Sequence, residues 1–377
     1  MEKKSASTTL GRSSNIELFR ILVMLFIVFH HYVVSSDISL PSGPIYSDIA
    51  SFKSIVYLLI AGFGKTGINC FVFITGYFMC KSNLTVKKYI TLLFEVMFYN
   101  IVISVLFLAL GKTTFSASWL IKTLLPITEV GTNFTGTYLL FLLFIPFLNI
   151  LIKNLTEKQH LLLIALTLFV YCFFGTVKIL PVKMNYVSWF IVLYIVISYI
   201  RIYPRKLFEK TKLWGLLSLL FVGISCLSIL LCIFLSEKLG RNSPHALVSD
   251  SNTLLALLTA LCLFLFFKNV TIKQSKAINT VSSFTFGVFL IHANGNGLRG
   301  WLWNDFLKNA DYYTSSYWWL HLLLSVFAVF VVCCLIDFIR KALVEKPFLR
   351  FWDKKYPKLL EKYKKAEEAL CKRFQIQ

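Results

Sequence analysis

Charged residues are scarce in this chain of 377 residues, since Asp, Glu, Lys and Arg together make up only 15%. Soluble domains typically carry about 25% charged residues. Apolar residues account for 57% of the chain, and the mean hydropathy is +0.71. The composition therefore excludes an ordinary soluble globular domain and predicts an integral membrane protein.

Several motifs of soluble enzymes are missing as well. The nine cysteines form no CxxC pair, show no metal-like spacing and lie almost all in or beside apolar runs, so a disulfide framework is not supported. Neither a P-loop nor a GxSxG motif is found, so the sequence does not indicate a P-loop nucleotide site or a serine hydrolase. Loops outside the apolar runs are short, so any chemistry must take place within the membrane region or at its rim.

Long apolar runs recur along the whole chain, and a membrane-spanning helix needs about 20 apolar residues. The first run exceeds the usual length of a signal-peptide core and lacks a small-residue cleavage site after it, so we expect a retained span. We predict an all-α fold, a polytopic membrane helix bundle with about ten transmembrane helices. The predicted spans cover residues 16–35, 55–79, 89–110, 137–152, 160–176, 187–200, 213–236, 252–268, 279–293 and 317–339.

Acidic residues are outnumbered, with 18 Asp and Glu against 39 Lys and Arg and a net charge of +21. With ten spans, 28 of the basic residues fall on the side of the N-terminus, nine on the other side and two within spans. This bias matches the positive-inside rule and predicts cytoplasmic N- and C-termini. The excess charge then faces the anionic surface of the lipid bilayer, and no nucleic-acid partner is needed to explain it.

Three regions follow from this topology: a cytoplasmic N-tail (1–15), a membrane domain (16–350) and a basic cytoplasmic tail (351–377). Apolar residues in the tail recur with the spacing of an amphipathic helix on lipid headgroups, and a solvated charged tail is the equal alternative. The segment 116–127, "SASWLIKTLLPI", is amphipathic and too short to span, so we expect a helix in the membrane interface.

The first span, "NIELFRILVMLFIVFHHYVV", contains four ionisable residues in an otherwise apolar run. At 100° per residue, Glu17, Arg20 and His31 share one helix face, and Arg20 and His31 lie about 16 Å apart along the axis. His30 and His31 point about 100° apart on the same geometry, so the two neighbours are poorly placed to bind one metal ion. Polar groups aligned within a span usually mark function.

Each of these residues has a chemical role that fits its type. Glu17 and Arg20 can pair at i,i+3, which lowers the cost of burying either charge. The guanidinium of Arg20 suits phosphate or carboxylate, and His31 suits the general base for a hydroxyl near neutral pH. The alternative is a structural one, with a snorkelling arginine and a histidine bonded to a backbone carbonyl.

Several stretches, in the same order along the chain, resemble the integral-membrane acyltransferase 3 family. The first span matches the family pattern of an acid, an arginine, ten residues and a histidine, at Glu17, Arg20 and His31. Thr75 stands where the family usually has serine, Phe289 replaces a tyrosine, and Phe134 stands where a tryptophan is common. The other matching stretches are "GKTGINCFVFITGYF" (64–78), "TYLLFLLFIPFLNIL" (137–151), "FTFGVFLIHANGNGLRGWLW" (284–303) and "LVEKPF" (343–348).

The resemblance implies an enzyme that transfers an acyl group, usually acetyl from acetyl-CoA, to a hydroxyl of an extracytoplasmic glycan. By this resemblance the chain would lie in a bacterial cytoplasmic membrane and use a cell-surface glycan or a lipid-linked glycan as acceptor. Arg20 would bind the CoA phosphates at the cytoplasmic side. His31 would either deprotonate the acceptor hydroxyl directly or accept the acyl group first, and both routes stay open.

Further candidate residues lie outside the first span. His292 would orient the acceptor or stabilise an oxyanion, or it would only cap a helix end. Asn294 and Asn296 would bind sugar hydroxyls, or they simply form a turn. Lys65 would meet the acceptor or snorkel.

Two carboxylates complete the set of candidates. Glu345, in the Glu-x-Pro stretch, would pair with a basic residue and shape the mouth of the donor site, or form a helix-end salt bridge before Pro347. Glu95, buried in the third span, is expected to be the partner of an arginine, and we rate this role as structural.

Two other classes of protein are compatible with ten spans. A polysaccharide polymerase or flippase also places polar residues around a cavity, but it would be expected to carry a large Arg-rich outer loop or more intramembrane charge. A membrane sensor or structural protein with an inactivated acyltransferase-like core is the third possibility, and retention of Arg20 and His31 argues against it.

Overall fold

The computed structural model describes residues 13–126, 133–177, 185–239 and 243–374 of the chain. These residues form helices and connecting loops without any β-strand, which confirms the predicted all-α fold. The first nine helices are α1 (Ser14–Val34), α2 (Pro44–Ser47), α3 (Phe52–Ala61), α4 (Gly64–Met79), α5 (Val86–Ala109), α6 (Ala117–Leu124), α7 (Phe134–Asn154), α8 (Glu157–Leu168) and α9 (Phe174–Thr176). The others are α10 (Tyr186–Ile202), α11 (Thr211–Leu239), α12 (Leu254–Asn269), α13 (Lys276–Ser282), α14 (Thr285–His292), α15 (Gly295–Gly300), α16 (Asn309–Thr314), α17 (Trp318–Arg340) and α18 (Lys346–Phe374).

Seven helical stretches within the described residues are long and apolar enough to cross a membrane, so the chain is a multi-pass membrane protein. Two further predicted spans correspond to α10 and α12, which are apolar but shorter. The remaining one, 279–293, is divided into α13 and α14 at residues 283–284. The number of crossings and the cytoplasmic position of both termini stay predictions.

Polar residues at the helix starts explain several of these boundaries. The hydroxyl of Thr156 accepts a hydrogen bond from the backbone N–H of Gln159, whose side chain accepts in return from the backbone N–H of Thr156, a capping box. Thr85 and Asn185 cap α5 and α10 by accepting from a backbone N–H three residues on. These caps satisfy N–H groups that a helix start otherwise leaves without partners.

Helix α1 lies at the centre of the bundle. It packs against α3, α4, α12, α13, α14 and α17, and ten of its residues are buried. A separate close approach joins α4 to α10, where a Cβ on Gly76 would lie 2.5 Å from the side chain of Ile197. Because six helices cover much of α1, buried polar residues on it must face other protein groups or an internal cavity.

The two predicted surface helices are both present. Helix α6 has eight residues, too few to span, and Ile127 at the end of the predicted interfacial segment lies outside the described residues. Helix α18 joins the bundle through a stacked ring pair, Phe94 and Phe348, with centroids 3.9 Å apart. Whether either helix rests on lipid stays a prediction, and residues 1–12 and 375–377 of the predicted tails lie outside the described part of the chain.

Candidate active site

The polar face of α1 is present as predicted. Nη1 of Arg20 lies 3.0 Å from Oε2 of Glu17, which confirms the i,i+3 pair. The hydroxyl of Ser282, the last residue of α13, donates to the same carboxylate oxygen. Glu17 is 4% exposed, and its carboxylate is therefore held by two donors in a buried position. Arg20 keeps part of its guanidinium accessible, with 23% of the side chain exposed.

At the opposite end of α1, two histidines form a direct pair. Nδ1 of His31 lies 2.9 Å from Nε2 of His292, the last residue of α14. Nδ1 of His292 lies 2.6 Å from the backbone carbonyl oxygen of Val288, one turn earlier on the same helix. His292 is fully buried, so this second imidazole is held between its own helix and His31.

The hydrogen bonds assign the tautomers of both rings when the rings are neutral. A carbonyl oxygen only accepts, so Nδ1 of His292 carries the proton that it donates to Val288. Nε2 of His292 then accepts, and Nδ1–H of His31 must donate to it. The remaining nitrogen, Nε2 of His31, is left with a lone pair. The pair thus leaves Nε2 of His31 as the basic nitrogen, and the hydrogen bond to His292 fixes the orientation of the His31 ring.

His31 lines a cavity of about 210 Å³ between α1, α4, α10 and α14, here called the His31 cavity. Its wall also includes Met24 and Ile27, which continue from His31 along the same face of α1 towards Arg20. Phe134 and Phe289 form an aromatic wall, with ring centroids 5.0 Å apart. The cavity therefore places the imidazole of His31 beside aromatic and other apolar side chains.

Two cations line the His31 cavity beside the imidazole. Lys65, selected from the sequence, donates from Nζ to the hydroxyl of Tyr186 at 2.6 Å, and both residues line the cavity. Arg299 was not selected, because a single arginine after a loop rich in Gly and Asn gives no signal by itself. Its Nε donates to the carbonyl of Gly295 at 3.1 Å, and its side chain lines the cavity. Cations at this position can stabilise an oxyanion.

His30 has a different environment from its neighbour. Its Nδ1 lies 2.5 Å from the backbone carbonyl oxygen of Ala61, and its ring packs against Gly64 so closely that a Cβ there would lie 2.2 Å from the ring. His30 also lines the His31 cavity, but its Nδ1 is bonded to the last residue of α3. This is the structural arrangement that a lone intramembrane histidine commonly adopts.

The family comparison agrees with this geometry. The model of the acyltransferase 3 family, described as an acyltransferase domain, matches residues 13–338, which is most of the chain. The chain belongs to this family. It is therefore a membrane acyltransferase. No curated protein and no solved structure matched the chain.

Residues at the family motifs of this acyltransferase surround the His31 cavity. Thr75, where serine is usual, shares a hydrogen bond of 2.8 Å with the hydroxyl of Tyr138. Phe134, where tryptophan is common, stacks on Tyr138 with centroids 5.4 Å apart and lines the cavity. Phe289 lines it as well. The departures from the family pattern thus preserve a side-chain hydroxyl, at Thr75, and the aromatic wall, at Phe134 and Phe289.

The two asparagines selected from the sequence belong to a neighbouring cavity of the acyltransferase. Asn294 and Asn296 line a polar cavity of about 370 Å³, here called the asparagine cavity, together with Asn100 and Trp119. Nδ2 of Asn294 donates to Oδ1 of Asn100 at 3.1 Å, and Oδ1 of Asn296 accepts from Arg299. Asn133 lines both cavities, so the two adjoin at this residue.

Glu345 lies in a buried ion cluster of the acyltransferase, at the end of α17. Nη1 of Arg340 lies 2.7 Å from Oε2 of Glu345 and its Nη2 lies 3.0 Å from Oε1 of Glu95, which confirms the predicted arginine partner of Glu95. Nε of Arg340 donates to Oδ1 of Asp337 at 2.8 Å, and Lys341 lies 3.3 Å from Oδ2 of Asp337. We call these five residues the Arg340 cluster.

The Arg340 cluster and the Arg20 end of α1 meet at the boundary between α13 and α14. Lys341 donates to the backbone carbonyl of Ser283, and the preceding residue, Ser282, donates to Glu17. A chain of polar contacts thus runs from Arg20 to Glu345. The contact that Glu345 makes is a helix-end salt bridge with Arg340, the structural alternative, and its role at the mouth of the donor site stays a prediction.

Proposed function

We propose that this membrane acyltransferase moves an acetyl group from cytoplasmic acetyl-CoA to a hydroxyl of an extracytoplasmic cell-surface glycan in a bacterial cytoplasmic membrane. The observation that carries the proposal is the oriented pair of His31 and His292 at a cavity, on the helix face whose other end holds Arg20. The positive-inside bias supports the orientation, with Arg20 at the cytoplasmic end.

The donor site follows from the polar end of α1. Arg20 is partly exposed and is held by Glu17, which suits binding of the CoA phosphates by a positioned guanidinium. Met24 and Ile27 continue from Arg20 towards His31 on one face and offer an apolar path for the pantetheine arm. The Arg340 cluster, through Glu345, borders this end and orders it.

The transfer step uses the basic nitrogen of His31. Nε2 takes the proton from the acceptor hydroxyl while the hydroxyl oxygen forms a bond to the thioester carbonyl carbon. Lys65 and Arg299, which line the cavity, stabilise the oxyanion of the tetrahedral intermediate. The carbon–sulfur bond then breaks, and the proton passes from His31 to the departing thiolate. The products are the glycan ester and free CoA.

His292 acts as a positioning residue in this step. It accepts the Nδ1–H of His31 and so keeps Nε2 as the basic nitrogen that faces the acceptor. Its own Nδ1 is fixed by Val288, so the pair does not depend on a carboxylate. A neutral partner is compatible with the low polarity of the membrane interior, where an unpaired carboxylate would be costly to bury.

The proposal is tested by the O-acetyl content of surface polysaccharide, measured by proton NMR in cells with wild type or His31→Gln. Transfer of label from radioactive acetyl-CoA to glycan is measured in their membranes. We expect a loss of at least about 100-fold, because a general base typically contributes that much. The matched control is His160→Gln, since His160 is also buried but donates to the carbonyl of Ile195, outside the His31 cavity.

Two outcomes would contradict the proposal. If His31→Gln and His160→Gln retain equal O-acetyl content, His31 is not the base. If acetylation persists in a full deletion while the length or export of the polymer changes, the polymerase or flippase interpretation replaces the acyltransferase one for this surface glycan.

A further inference from the structure

An apolar groove lies on the outside of the bundle, next to the asparagine cavity. It runs between α5 and α17 and has a volume of about 370 Å³. Phe98, Val102, Leu106 and Leu110 form one wall along α5, and from Phe98 to Leu110 this wall extends for about 18 Å. We call this feature the α5–α17 groove.

The α5–α17 groove opens towards the lipid. Leu106 and Leu110 are 52% and 59% exposed, and on the facing wall Ile339 and Leu343 are 53% and 71% exposed. A hydrocarbon chain can therefore enter sideways from the bilayer without crossing a polar barrier. Such a chain would cover apolar surface on both walls.

The groove and the two cavities form one continuous series. Ile103, Phe107 and Leu298 line both the α5–α17 groove and the asparagine cavity, and Asn133 lines both the asparagine cavity and the His31 cavity. A ligand whose chain lies in the groove thus places its polar head in the asparagine cavity. The next part of that head reaches His31.

The lining changes from apolar in the groove to cationic and polar in the asparagine cavity. The hydrocarbon chain, phosphate and sugars of a glycolipid follow one another in the same order. The groove is lined mostly by apolar side chains, with Lys112 at the end nearest the asparagine cavity and the ion-paired Arg340 also in its wall. Lys122 and Trp119 line the asparagine cavity itself, together with several amide side chains. Lysine ammonium groups attract phosphate, and an indole face with amides around it suits a sugar ring.

We infer that the acceptor is a lipid-linked glycan, whose hydrocarbon chain occupies the α5–α17 groove while its phosphate and sugars occupy the asparagine cavity. The inference rests on the proposed function and narrows its acceptor from any surface glycan to one that still carries its lipid. Transfer then takes place on the sugar that enters the His31 cavity, before the glycan is released from its lipid carrier. A bulk membrane lipid in the groove is the competing occupant.

Two matched variants on α5 test the groove. Val102 lines it and is 45% exposed, whereas Val105, three residues further on, is 50% exposed and does not belong to the groove lining. Val102→Trp fills the groove, and Val105→Trp adds the same bulk to the lipid-facing side of the helix. Leu106→Trp, also in the groove, gives a second test if Val102→Trp is poorly produced.

The assay uses purified full-length protein in lipid nanodiscs with radioactive acetyl-CoA and three acceptors from the expressing cells. These are lipid-linked glycan extracted with chloroform–methanol, the same glycan after mild acid has removed the lipid, and purified wall polysaccharide. We expect wild type to prefer the lipid-linked form by at least about tenfold, equivalent to burial of about two methylene groups. Val102→Trp should lose this preference, and Val105→Trp should keep it.

The failures of the two proposals are distinguishable. Equal rates on lipid-linked and delipidated glycan, a preference for wall polysaccharide, or equal behaviour of Val102→Trp and Val105→Trp would overturn the lipid-linked acceptor and leave acetyl transfer intact. Absence of label in all three acceptors with wild type would instead contradict the proposed function. Thermal melting curves of the variants verify that they are folded.

Discussion

Two regions of this protein place ionisable side chains inside a membrane bundle, and they do so in opposite ways. In the Arg340 cluster, three carboxylates surround one guanidinium and one ammonium, so charges face one another. In the His31 cavity, a chain of hydrogen bonds ends at an imidazole that lines a cavity. Polar groups that satisfy one another stabilise the bundle, whereas a group left facing a cavity is available for chemistry.

Arg340→Met should have the largest effect on stability. The change leaves Glu95, Asp337 and Glu345 together without their shared guanidinium, and removal of one partner from a buried ion pair typically costs about 3–5 kcal/mol. Thermal melting in detergent should show a large fall in Tm or a loss of folded protein. Adding Glu95→Gln should restore part of the loss, and a wild-type Tm for Arg340→Met would refute a structural role for the cluster.

His292→Ala should mainly affect activity. Loss of the acceptor for Nδ1–H of His31 frees the ring to change tautomer, and we expect kcat to fall by about one to two orders of magnitude. The KM for acetyl-CoA should stay close to wild type, because Arg20 lies at the other end of α1. His292→Gln, which can still accept this hydrogen bond, should retain more activity than His292→Ala. Equal kcat for both variants would argue against a positioning role.

Gly287→Ala tests how closely α14 packs against the Arg340 cluster. A Cβ on Gly287 would lie 2.3 Å from Cγ of Asp337, whose carboxylate is fixed by Arg340 and Lys341. We expect a cost of about 1–3 kcal/mol, the usual range for overpacking. Gly223→Ala on α11 is the control, since a Cβ there has no neighbour within 4 Å. Similar melting temperatures for the two variants would show that α14 can move away from α17.

Lys87→Met should have the smallest effect. Nζ of Lys87 lies 2.7 Å from Oδ1 of Asp353, but both side chains are about half exposed. Exposed pairs typically contribute less than about 1 kcal/mol, so Tm should hardly change. Comparing the change in Tm with that of Arg340→Met, in the same detergent, shows whether the stability that a salt bridge contributes depends on its burial. A large loss of stability in Lys87→Met would imply that α18 depends on this contact.

The sequence allowed much of the fold and part of the site to be predicted. Helical geometry was sufficient to align Glu17, Arg20 and His31, because all three belong to one helix and no tertiary information is needed. The predicted spans coincide with helices for the same reason: local apolar length determines them. Two predicted spans are interrupted: 55–79 between α3 and α4 at residues 62–63, and 279–293 between α13 and α14 at residues 283–284.

Contacts between distant helices were not predictable in the same way. His292 was selected as a separate candidate, yet its relation to His31 depends on how α14 packs against α1. Asn294 and Asn296, two and four residues further on, belong to a different cavity. Arg299 is the third example, because only packing brings it to the wall of the His31 cavity. Periodicity within one helix does not contain such information.

The division between the two polar cavities has a consequence for evolution. Much of the asparagine cavity comes from loops and short helices, at residues 113–126 and 294–298, whereas most of the His31 cavity wall comes from packed helices of the bundle. Loops tolerate substitution and insertion better than packed helices do. Descendants of one ancestral enzyme could therefore adopt new acceptors by altering these loops, while the reaction itself is inherited unchanged.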